Sequence, residues 1–293
     1  MRACGFMVVR DEHPLIEANV RWHLALGFEG LVIVDHASTD GTSAVLAELA
    51  QDARVKVLYE ADEAFDHEKY ANRALGFAVD HWNPEWLFPL DADEFLHLST
   101  RLSEFLDTVE RDGISYGSIK WLNALPTVTT SQRSVFETVR FYDPWPERTW
   151  EDDGHYRKSF CRSHEGIEVV VGGHYFRREN NPLFFSGPAQ SPIPLPATAA
   201  RLLHFERRGT PHALLAKWRM QADHLVEPRY PADAPWTEKL ERLRELSSRY
   251  TKDVGGLEAD WFESDRTFWG APIPPERIQI CTVLRDWNER AAR

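Results

Sequence analysis

The first hundred residues alternate between short apolar runs and amphipathic stretches. Continuous apolar runs are typical of strands buried on both faces of a sheet, and apolar residues three or four positions apart predict helices that pack on it. Strands that alternate with helices in this way predict right-handed crossovers and a parallel sheet with helices on both faces. The predicted strands are 4–9, 30–34, 55–59 and 86–90, and the predicted helices are 14–26, one that begins near residue 42, and 67–82.

The pattern changes in the second half of the chain. After one more predicted helix, 101–112, short alternating segments predict a mixed, partly antiparallel edge of the sheet. Five prolines fall within 180–196, so we expect no regular element there, only a lid near the mouth of a site or a passive surface loop. The strand segments are 115–121, 135–141, 168–171 and 201–205, and amphipathic helices are predicted at 212–225 and 236–250.

Composition argues against several classes of function. The net charge of -12 disfavours a nucleic-acid partner, because contacts with phosphates need clustered lysine and arginine. No apolar stretch approaches the roughly 20 residues that a membrane span needs. The three cysteines are scattered and form neither a disulfide framework nor a zinc pattern, so we expect a reducing cytoplasm.

Three carboxylates, Asp91, Asp93 and Glu94, stand directly after the apolar run 86–88. Two carboxylates about 5 Å apart repel each other by roughly 3 kcal/mol at an effective dielectric constant of about 20. A fold therefore holds them together only if one is protonated or a cation lies between them. Oxygen ligands suit Mn²⁺ or Mg²⁺ better than Zn²⁺. The alternative is an acidic loop that caps the next helix.

Polar residues also follow the first two predicted strands, at 10–12 and at Asp35. Ligands of parallel sheets bind beyond the carboxyl ends of the strands, so we expect these residues at the same site as the acidic run. For Asp35 the alternative is a turn residue, and for Arg10 it is a surface ion pair with an adjacent acid. The sequence lacks the glycine patterns of dinucleotide-binding domains and of P-loops.

Five blocks of sequence stand in order along this first part of the chain. They are Val8-Val9-Arg10-Asp11-Glu12, Trp22-His23, Gly27-Phe28, Val34-Asp35-His36-Ala37-Ser38-Thr39-Asp40-Gly41-Thr42 and Leu90-Asp91-Ala92-Asp93-Glu94-Phe95. Together they resemble the family 2 glycosyltransferases, in particular the branch that carries an Asp-x-Asp-Glu-Phe block. A weaker likeness follows in Arg157-Lys158-Ser159-Phe160, Gly173-His174 and Leu203-His204-Phe205, with Lys217 beyond them.

The resemblance implies the nucleotide-diphospho-sugar transferase fold called GT-A. This is an α/β fold in which a Rossmann-like mixed sheet is flanked by helices. We expect a catalytic domain over residues 1–209, made of a nucleotide-sugar-binding half (1–100) and an acceptor half (101–209). We expect residues 210–293 to form a helical C-terminal extension that packs on it.

The resemblance also implies roles for single residues. Asp35 would contact the nucleobase, Asp91 would face the ribose or the metal, and Asp93 would hold the metal against the diphosphate. His204 would complete the metal shell, although it is alternatively a core histidine, and His174 is the second candidate. Lys69 is a candidate for a phosphate contact or a solvated surface residue. The full set expected at the nucleotide sugar is Val8, Arg10, Glu12, Asp35, Lys69, Asp91 and Ala92.

The catalytic base of such an enzyme must lie within hydrogen-bond reach of the acceptor hydroxyl. In this family it usually comes from an acidic pair after the fifth strand. Asp152 and Asp153, in the dense acidic cluster 151–153, are the candidates here. Glu94 and Glu137 are alternatives, and a solvated acidic loop explains the cluster at least as well.

We therefore expect a metal-dependent, inverting glycosyltransferase that uses a nucleoside-diphosphate sugar, preferably a UDP-sugar, with Mn²⁺ or Mg²⁺. By family habit alone, the acceptor is a glycan or lipid-linked sugar of an envelope polysaccharide, reached from the cytoplasm with a peripheral membrane contact. Two other functions stay open, a sugar-phosphate nucleotidyltransferase and a non-catalytic nucleotide-sugar-binding module. The first normally needs a glycine-rich basic loop after strand one, which residues 10–14 do not supply.

Overall fold

The computed structural model describes residues 2–61, 66–124, 140–142, 157–170, 173–178, 193–196, 198–205, 245, 248–249 and 278–280. The chain divides into two compact units. The first unit consists of Met1–Leu122 and Trp145–His204, and the second consists of Asn123–Pro144 and Phe205–Arg293. The predicted division into 1–209 and a C-terminal extension stays a prediction.

The amino-terminal part of the first unit has the alternating order that the hydrophobic pattern predicts. Residues of β2 are all buried, as expected for a strand covered by helices on both faces. The elements, within two residues of their predicted bounds where bounds were set, are β1 (Ala3–Val9), α1 (His13–Leu26), β2 (Gly30–His36), α2 (Thr42–Leu49), β3 (Val55–Glu60), α3 (His67–Trp82) and β4 (Trp86–Pro89).

These four strands form a parallel sheet in the order β4-β1-β2-β3. β1 lies between β2 and β4, with Val9 paired to Asp35 and Phe6 paired to Pro89. The carboxyl ends of the strands therefore meet along one edge, which places the acidic run beside the loops that follow β1 and β2.

Further strands make the sheet mixed. β8 (Arg157–Arg162) runs antiparallel to both β4 and β6 (Tyr116–Ala124), and β12 (Ala200–His204) runs antiparallel to β5 (Glu94–Leu98). The α/β fold with a mixed sheet and flanking helices is confirmed. The further elements are β5 (Glu94–Leu98), α4 (Leu102–Arg111), β6 (Tyr116–Ala124), β7 (Arg140–Tyr142), β8 (Arg157–Arg162), β9 (Ile167–Val170), β10 (Tyr175–Arg178), β11 (Ile193–Pro194), β12 (Ala200–His204) and β13 (Ile278–Ile280).

Two expectations about these elements are wrong. The acidic run does not cap a helix, because the next element is the strand β5, which pairs with β12, more than 100 residues later in the sequence. Part of the proline-rich segment is regular, since β11 pairs in parallel with β6 and Leu195 N–H donates to Ser118 O at 2.9 Å. Proline is tolerated in such a short edge strand, where its missing N–H leaves no ladder bond unmade.

The hydrophobic core lies on both faces of the sheet. One cluster packs α1, α2 and α4 against the sheet, and the other packs α3, β9 and β10 against the opposite face. Phe160 of β8 is fully buried and stacks on Phe88 of β4 with ring centroids 4.9 Å apart. Truncating such a phenylalanine to alanine typically costs 3–5 kcal/mol, so the antiparallel strand β8 is firmly attached to the parallel part of the sheet.

In the second unit, β7 pairs antiparallel with β13 and with Asn123 and Ala124 at the end of β6. Glu245, Ser248 and Arg249 are helical, within one of the two predicted C-terminal helices. No helix in the part of the chain that the structure describes is long and apolar enough to span a bilayer. The predicted helix 212–225, the start of the predicted strand 135–141 and most of 180–196 lie outside the described residues.

Candidate active site at the carboxyl edge of the sheet

Helix α1 holds the loop between β4 and β5 in place. This loop carries the acidic run. The fully buried Asn19 donates from Nδ2 to the carbonyl oxygens of Asp91, Ala92 and Glu94, at 3.2, 3.1 and 2.7 Å. An amide nitrogen has only two hydrogens, so these bonds are partly shared. The backbone of the loop is therefore fixed, and its carboxylates have little freedom to spread into solvent.

One turn along α1, two more side chains hold the middle of β5. Trp22 donates from Nε1 to Leu96 O at 2.7 Å, and Leu96 N–H donates to His23 Nε2 at 3.2 Å. Because Nε2 accepts, the proton of the neutral ring is on Nδ1, which donates to Asn19 O at 2.9 Å. Burial lowers the pKa of His23 to about 4, so the ring is neutral at physiological pH.

A buried lysine lies between two of the three carboxylates. Lys158 Nζ is 2.5 Å from Asp91 Oδ2 and 3.1 Å from Glu94 Oε2. Its side chain is 2% exposed, that of Glu94 is 0% exposed, and that of Asp91 is 34% exposed. The expected cation between these carboxylates is thus an ammonium group supplied by β8.

This arrangement separates the protonation behaviour of the two acids. Burial opposes ionisation of Asp91, but the neighbouring Lys158 ammonium outweighs it, so the pKa of Asp91 lies below its usual value. Burial raises the pKa of Glu94 to about 8, despite the same ammonium. Burial disfavours the charged form of Lys158, yet Asp91 and Glu94 together raise its pKa. Asp91 and Lys158 therefore form the ion pair, and Glu94 is the acid that gives up its charge.

Asp93, the other carboxylate of the Asp-Ala-Asp run, faces β12. His204 Nε2 lies 3.7 Å from Asp93 Oδ2, too far for a hydrogen bond. The position of His204 follows from the pairing of β12 with β5, in which it stands opposite Glu94. The ring of Trp121 stacks on His204, with centroids 4.4 Å apart.

The donor atoms of Asp93 and His204 suit a divalent cation. Each metal ligand lies about 2.0–2.3 Å from its ion, so two atoms 3.7 Å apart can share one. Within the described ranges, no three or more His, Cys, Asp or Glu side chains come together as a metal site. Mg²⁺ is commonly bound by one or two carboxylates together with substrate phosphates. The pair therefore fits a cation that is held jointly with a phosphorylated ligand.

His174, the second candidate for the metal shell, is committed to the fold. Its Nδ1 lies 2.7 Å from Arg157 O, and its own carbonyl accepts from Ser159 Oγ at 2.5 Å. Its ring meets the edge of Trp121 at 5.3 Å. His174 and His204 thus contact the same indole, but His204 is the one that faces an acidic side chain.

The loops after β1 and β2 are joined by hydrogen bonds. Glu12 N–H donates to Thr42 Oγ1 at 2.8 Å, and Thr39 N–H donates to Asp11 Oδ1 at 2.6 Å. The carboxylate of Asp35, which is 1% exposed, accepts from Ser38 N–H at 3.2 Å and from Ser43 Oγ at 2.5 Å. Asp35 therefore shapes the turn after β2, and these two bonds fill two of its four acceptor positions.

Arg10 differs from its neighbours in these loops. Its Nε and Nη1 atoms are buried and have no hydrogen-bond partner among the residues that the structure describes. A guanidinium group that is buried in this way is costly unless an anion or carbonyl binds it. The expected surface ion pair with Asp11 or Glu12 is not among the ion pairs found in the same part of the chain.

A small cleft opens between these elements at the edge of the sheet. Val8, one of the residues expected at the nucleotide sugar, lines it together with Asp91 and Lys158. Gly173, another lining residue, has a left-handed backbone (φ +82°), and a Cβ there would lie 3.1 Å from Lys158 Cε. The other lining residues are Phe6, Met7, His67, Ala71, Pro89 and Leu90.

The other residues predicted at the site are spread over several elements of the chain. Lys69, near the start of α3, lies over the ring of Tyr70, with Nζ 5.0 Å from the centroid. Ala92 is buried and contributes its carbonyl to the Asn19 amide. Glu12 is 7% exposed, and its carbonyl begins α1. Asp152 and Asp153, the candidates for the base, lie outside the described residues, as does Glu137.

Sequence reasoning gave no role to two residues that the structure places at this site, Lys158 and Asn19. Lys158 stands in the basic strand noted as a likeness to the family, but nothing local links it to Asp91, 67 residues away. Asn19 stands four residues before His23 on a helix, a spacing that puts both on one face. Two polar residues on the inner face of a predicted helix were the sequence signal that could have pointed to Asn19.

Comparisons with known proteins bear on this chain in three ways. Glycosyl transferase family 2 matches residues 25–181, which include Asp35, Asp91, Asp93 and Lys158. Among solved structures, S. aureus TarS 1–349 in complex with UDP-GlcNAc is 14% identical to this chain, with a TM-score of 0.45. The superposition covers 88% of this chain and 76% of the TarS chain. The mannosyltransferase PcManGT from Pyrobaculum calidifontis, in complex with GDP-Man and Mn²⁺, is 16% identical, with coverages of 88% and 74% and a TM-score of 0.43. No curated protein matches the chain.

These superpositions are loose, so the assignment depends on the family match and on the mixed sheet described above. The match spans more than half of the 293 residues and covers the elements from β2 to β10. The described fold is the mixed α/β fold expected for this family, and the protein is a glycosyltransferase. The chain belongs to glycosyl transferase family 2.

Proposed function

We propose that this glycosyltransferase uses a nucleoside-diphosphate sugar, preferably a UDP-sugar, and a divalent cation, Mn²⁺ or Mg²⁺, and inverts the anomeric centre. The observation that supports the proposal best is the pair of Asp93 and His204, with donor atoms 3.7 Å apart beside the Asp91 carboxylate. All three lie at the carboxyl edge of a parallel sheet, where ligands of such folds bind.

In this proposal the cation is held by Asp93, by His204 and by the diphosphate of the donor. When bound, it neutralises charge on the departing diphosphate. Trp121 keeps the His204 ring in place by stacking on it, and Asn19 fixes the loop that presents Asp93. The site thus presents one carboxylate and one imidazole, and the substrate would supply further oxygen ligands.

The donor would occupy the cleft and the loops after β1 and β2. Arg10 has two buried nitrogen atoms with no partner in the described part of the chain, which suits an anionic group of the donor. Asp35 would accept a nucleobase N–H with a lone pair beyond its two internal bonds. Val8, Glu12, Ala92 and Asp91 would line the nucleoside, and Lys69 would approach a phosphate.

For the acceptor, Asp152 or Asp153 is proposed as the base that removes the hydroxyl proton. An inverting reaction needs a single base on the face opposite the leaving group. The acceptor itself is proposed to be a glycan or a lipid-linked sugar of an envelope polysaccharide. A cytoplasmic location, at the inner face of a membrane for a lipid-linked acceptor, goes with this proposal.

The decisive experiment incubates the full chain with single UDP- or GDP-sugars and Mn²⁺ or Mg²⁺, and measures free nucleoside diphosphate. We expect slow hydrolysis of one donor that stops with a chelator and in Asp93→Asn. Pyrophosphate released from a nucleoside triphosphate and a sugar phosphate would instead indicate a nucleotidyltransferase. Tight donor binding without any product, under all these conditions, would indicate a non-catalytic module.

A further inference from the structure

The pairing between Lys158 and Asp91 divides the acidic run into two unequal carboxylates. Asp91 Oδ2 lies 2.5 Å from Lys158 Nζ, whereas Asp93 Oδ2 faces His204 Nε2 at 3.7 Å. An oxygen in so short a charge-assisted contact has part of its electron density committed to the ammonium group. An ammonium group at this position also repels any cation that approaches Asp91.

Lys158 is fixed in place before any ligand binds. It stands on β8, which pairs antiparallel with β6, opposite Ile119. Its side chain is only 2% exposed, and its stem passes close to Gly173, where a Cβ would lie 3.1 Å from Lys158 Cε and from Pro89. A lysine normally keeps its head in solvent, so a lysine held inside the wall of the cleft is there for its charge.

We propose that Lys158 is a positioning residue that reserves Asp91 for the sugar-nucleotide donor and leaves Asp93 and His204 to hold the cation. The inference rests on the proposed function, and it assigns the lysine as the cause of the division. The Asp91 carboxylate keeps its second oxygen, Oδ1, for a hydroxyl of the donor. Glu94 accepts from both Lys158 Nζ and Asp91 N–H, at 3.1 and 3.0 Å, and so holds the pair from the buried side.

The direct test is Mn²⁺ binding to the full chain, followed by electron paramagnetic resonance without nucleotide. We expect Asp93→Asn to weaken Mn²⁺ binding at least about tenfold and Asp91→Asn to change it less than about twofold, because only Asp93 is a ligand. Lys158→Met should tighten binding about three- to tenfold, because it frees a second carboxylate. In Lys158→Met/Asp91→Asn that gain should disappear.

Two results of the Mn²⁺ titrations would overturn the inference. One is an Asp91→Asn variant that loses Mn²⁺ as fully as Asp93→Asn. The other is a Lys158→Met variant whose Mn²⁺ affinity is unchanged or weaker. If Lys158→Met does not fold, Lys158→Met/Glu94→Gln also replaces the buried acid beside the lysine with a neutral amide of similar shape, and the same tightening is expected. Lys56→Met, on β3 and paired with Val32, is the matched control and should bind Mn²⁺ like the wild type.

Donor kinetics separate positioning from simple destabilisation. Lys158→Met should raise the KM for the donor about tenfold or more while Mn²⁺ binds more tightly, because Asp91 is no longer held for the nucleotide. A lysine that only supports the fold would weaken both together. If no donor is turned over by the wild type, the proposed function fails, and the Mn²⁺ titrations still decide whether Lys158 controls Asp91.

Discussion

The acidic loops at one edge of the sheet use their carboxylates in two opposite ways. In the loops after β1 and β2, Asp11, Asp35 and Asp40 accept hydrogen bonds from backbone N–H groups and hydroxyls. In the loop after β4, Asp91 and Glu94 are paired with a buried lysine, and Asp93 faces a histidine. The first arrangement satisfies charge with neutral dipoles and shapes the loops. The second leaves charge to be balanced, which is the condition for binding a cation.

The largest effect on turnover is expected when one carboxylate of the loop after β4, that of Asp93, is exchanged for an amide. Asp93→Asn is expected to reduce metal-dependent turnover by a factor on the order of 10²–10³. Its free energy of unfolding should stay near or above that of the wild type, because repulsion within the acidic run is relieved. Donor hydrolysis and urea unfolding measure the two quantities. Turnover close to that of the wild type would show that Asp93 is structural.

The next effect concerns the support beneath the acidic loop. Asn19→Leu removes the donor that three carbonyl groups share, and leaving buried acceptors unpaired costs about 1–3 kcal/mol each before relaxation. We expect the free energy of unfolding to fall by about 2–4 kcal/mol. Chemical denaturation measures it, and a loss below about 1 kcal/mol would show that other contacts hold the loop.

A smaller, pH-dependent effect is expected from His23, which belongs to the same support. Its pKa is about 4 in the folded protein against 6.5 for the ordinary group, so the unfolded chain binds the proton first. Its contribution to stability is therefore present above pH 6.5 and is lost as the pH falls towards 4, by up to about 1.4 kcal/mol per pH unit.

The comparison with His23→Gln isolates this contribution, since glutamine can accept from Leu96 N–H without titrating. Unfolding should be measured for both proteins at several values between pH 7 and pH 4. The difference in free energy between them should shrink in favour of the variant as the pH falls. Parallel curves would show that His23 takes up its proton without hindrance in the folded protein.

The smallest effect is expected in the loop after β2. Asp40 accepts from His13 N–H, from Thr42 N–H and from Thr42 Oγ1, at 3.0, 3.0 and 2.6 Å. Burial opposes its ionisation, but these bonds outweigh it and lower its pKa. Asp40→Ala should lower the free energy of unfolding by about 1 kcal/mol, as for a lost helix cap, and leave kcat unchanged. A large loss of kcat would place Asp40 at the chemistry.

The sequence predicted the parallel half of the sheet well because its strands are buried on both faces and its helices have regular apolar spacing. Helix α3 has the predicted bounds of 67–82, and β3 differs by one residue. The position of Asp91 and Asp93 at the carboxyl edge followed from the same pattern. β5 was missed because the run after Glu94 is short and pairs only with a strand far along the chain, β12.

The charge balance of the site could not be predicted, because it depends on pairs distant in sequence. Repulsion among the acids called for a proton or a cation, and the structure supplies Lys158 together with a raised pKa at Glu94. For Asp35, the same residues fit both a turn and a nucleobase contact, and the hydrogen bonds from Ser38 and Ser43 show the turn directly. Asp152 and Asp153 stay predictions.

The indole of Trp121 is an intrinsic fluorescent probe of the proposed cation site. It stacks on His204 at 4.4 Å and meets His174 at 5.3 Å, so its excited state lies against the imidazole proposed to bind the ion. A positive charge that arrives on or next to that imidazole ring should change the fluorescence emission of Trp121. The difference spectrum between wild type and Trp121→Phe would then follow occupancy of the site without any added dye.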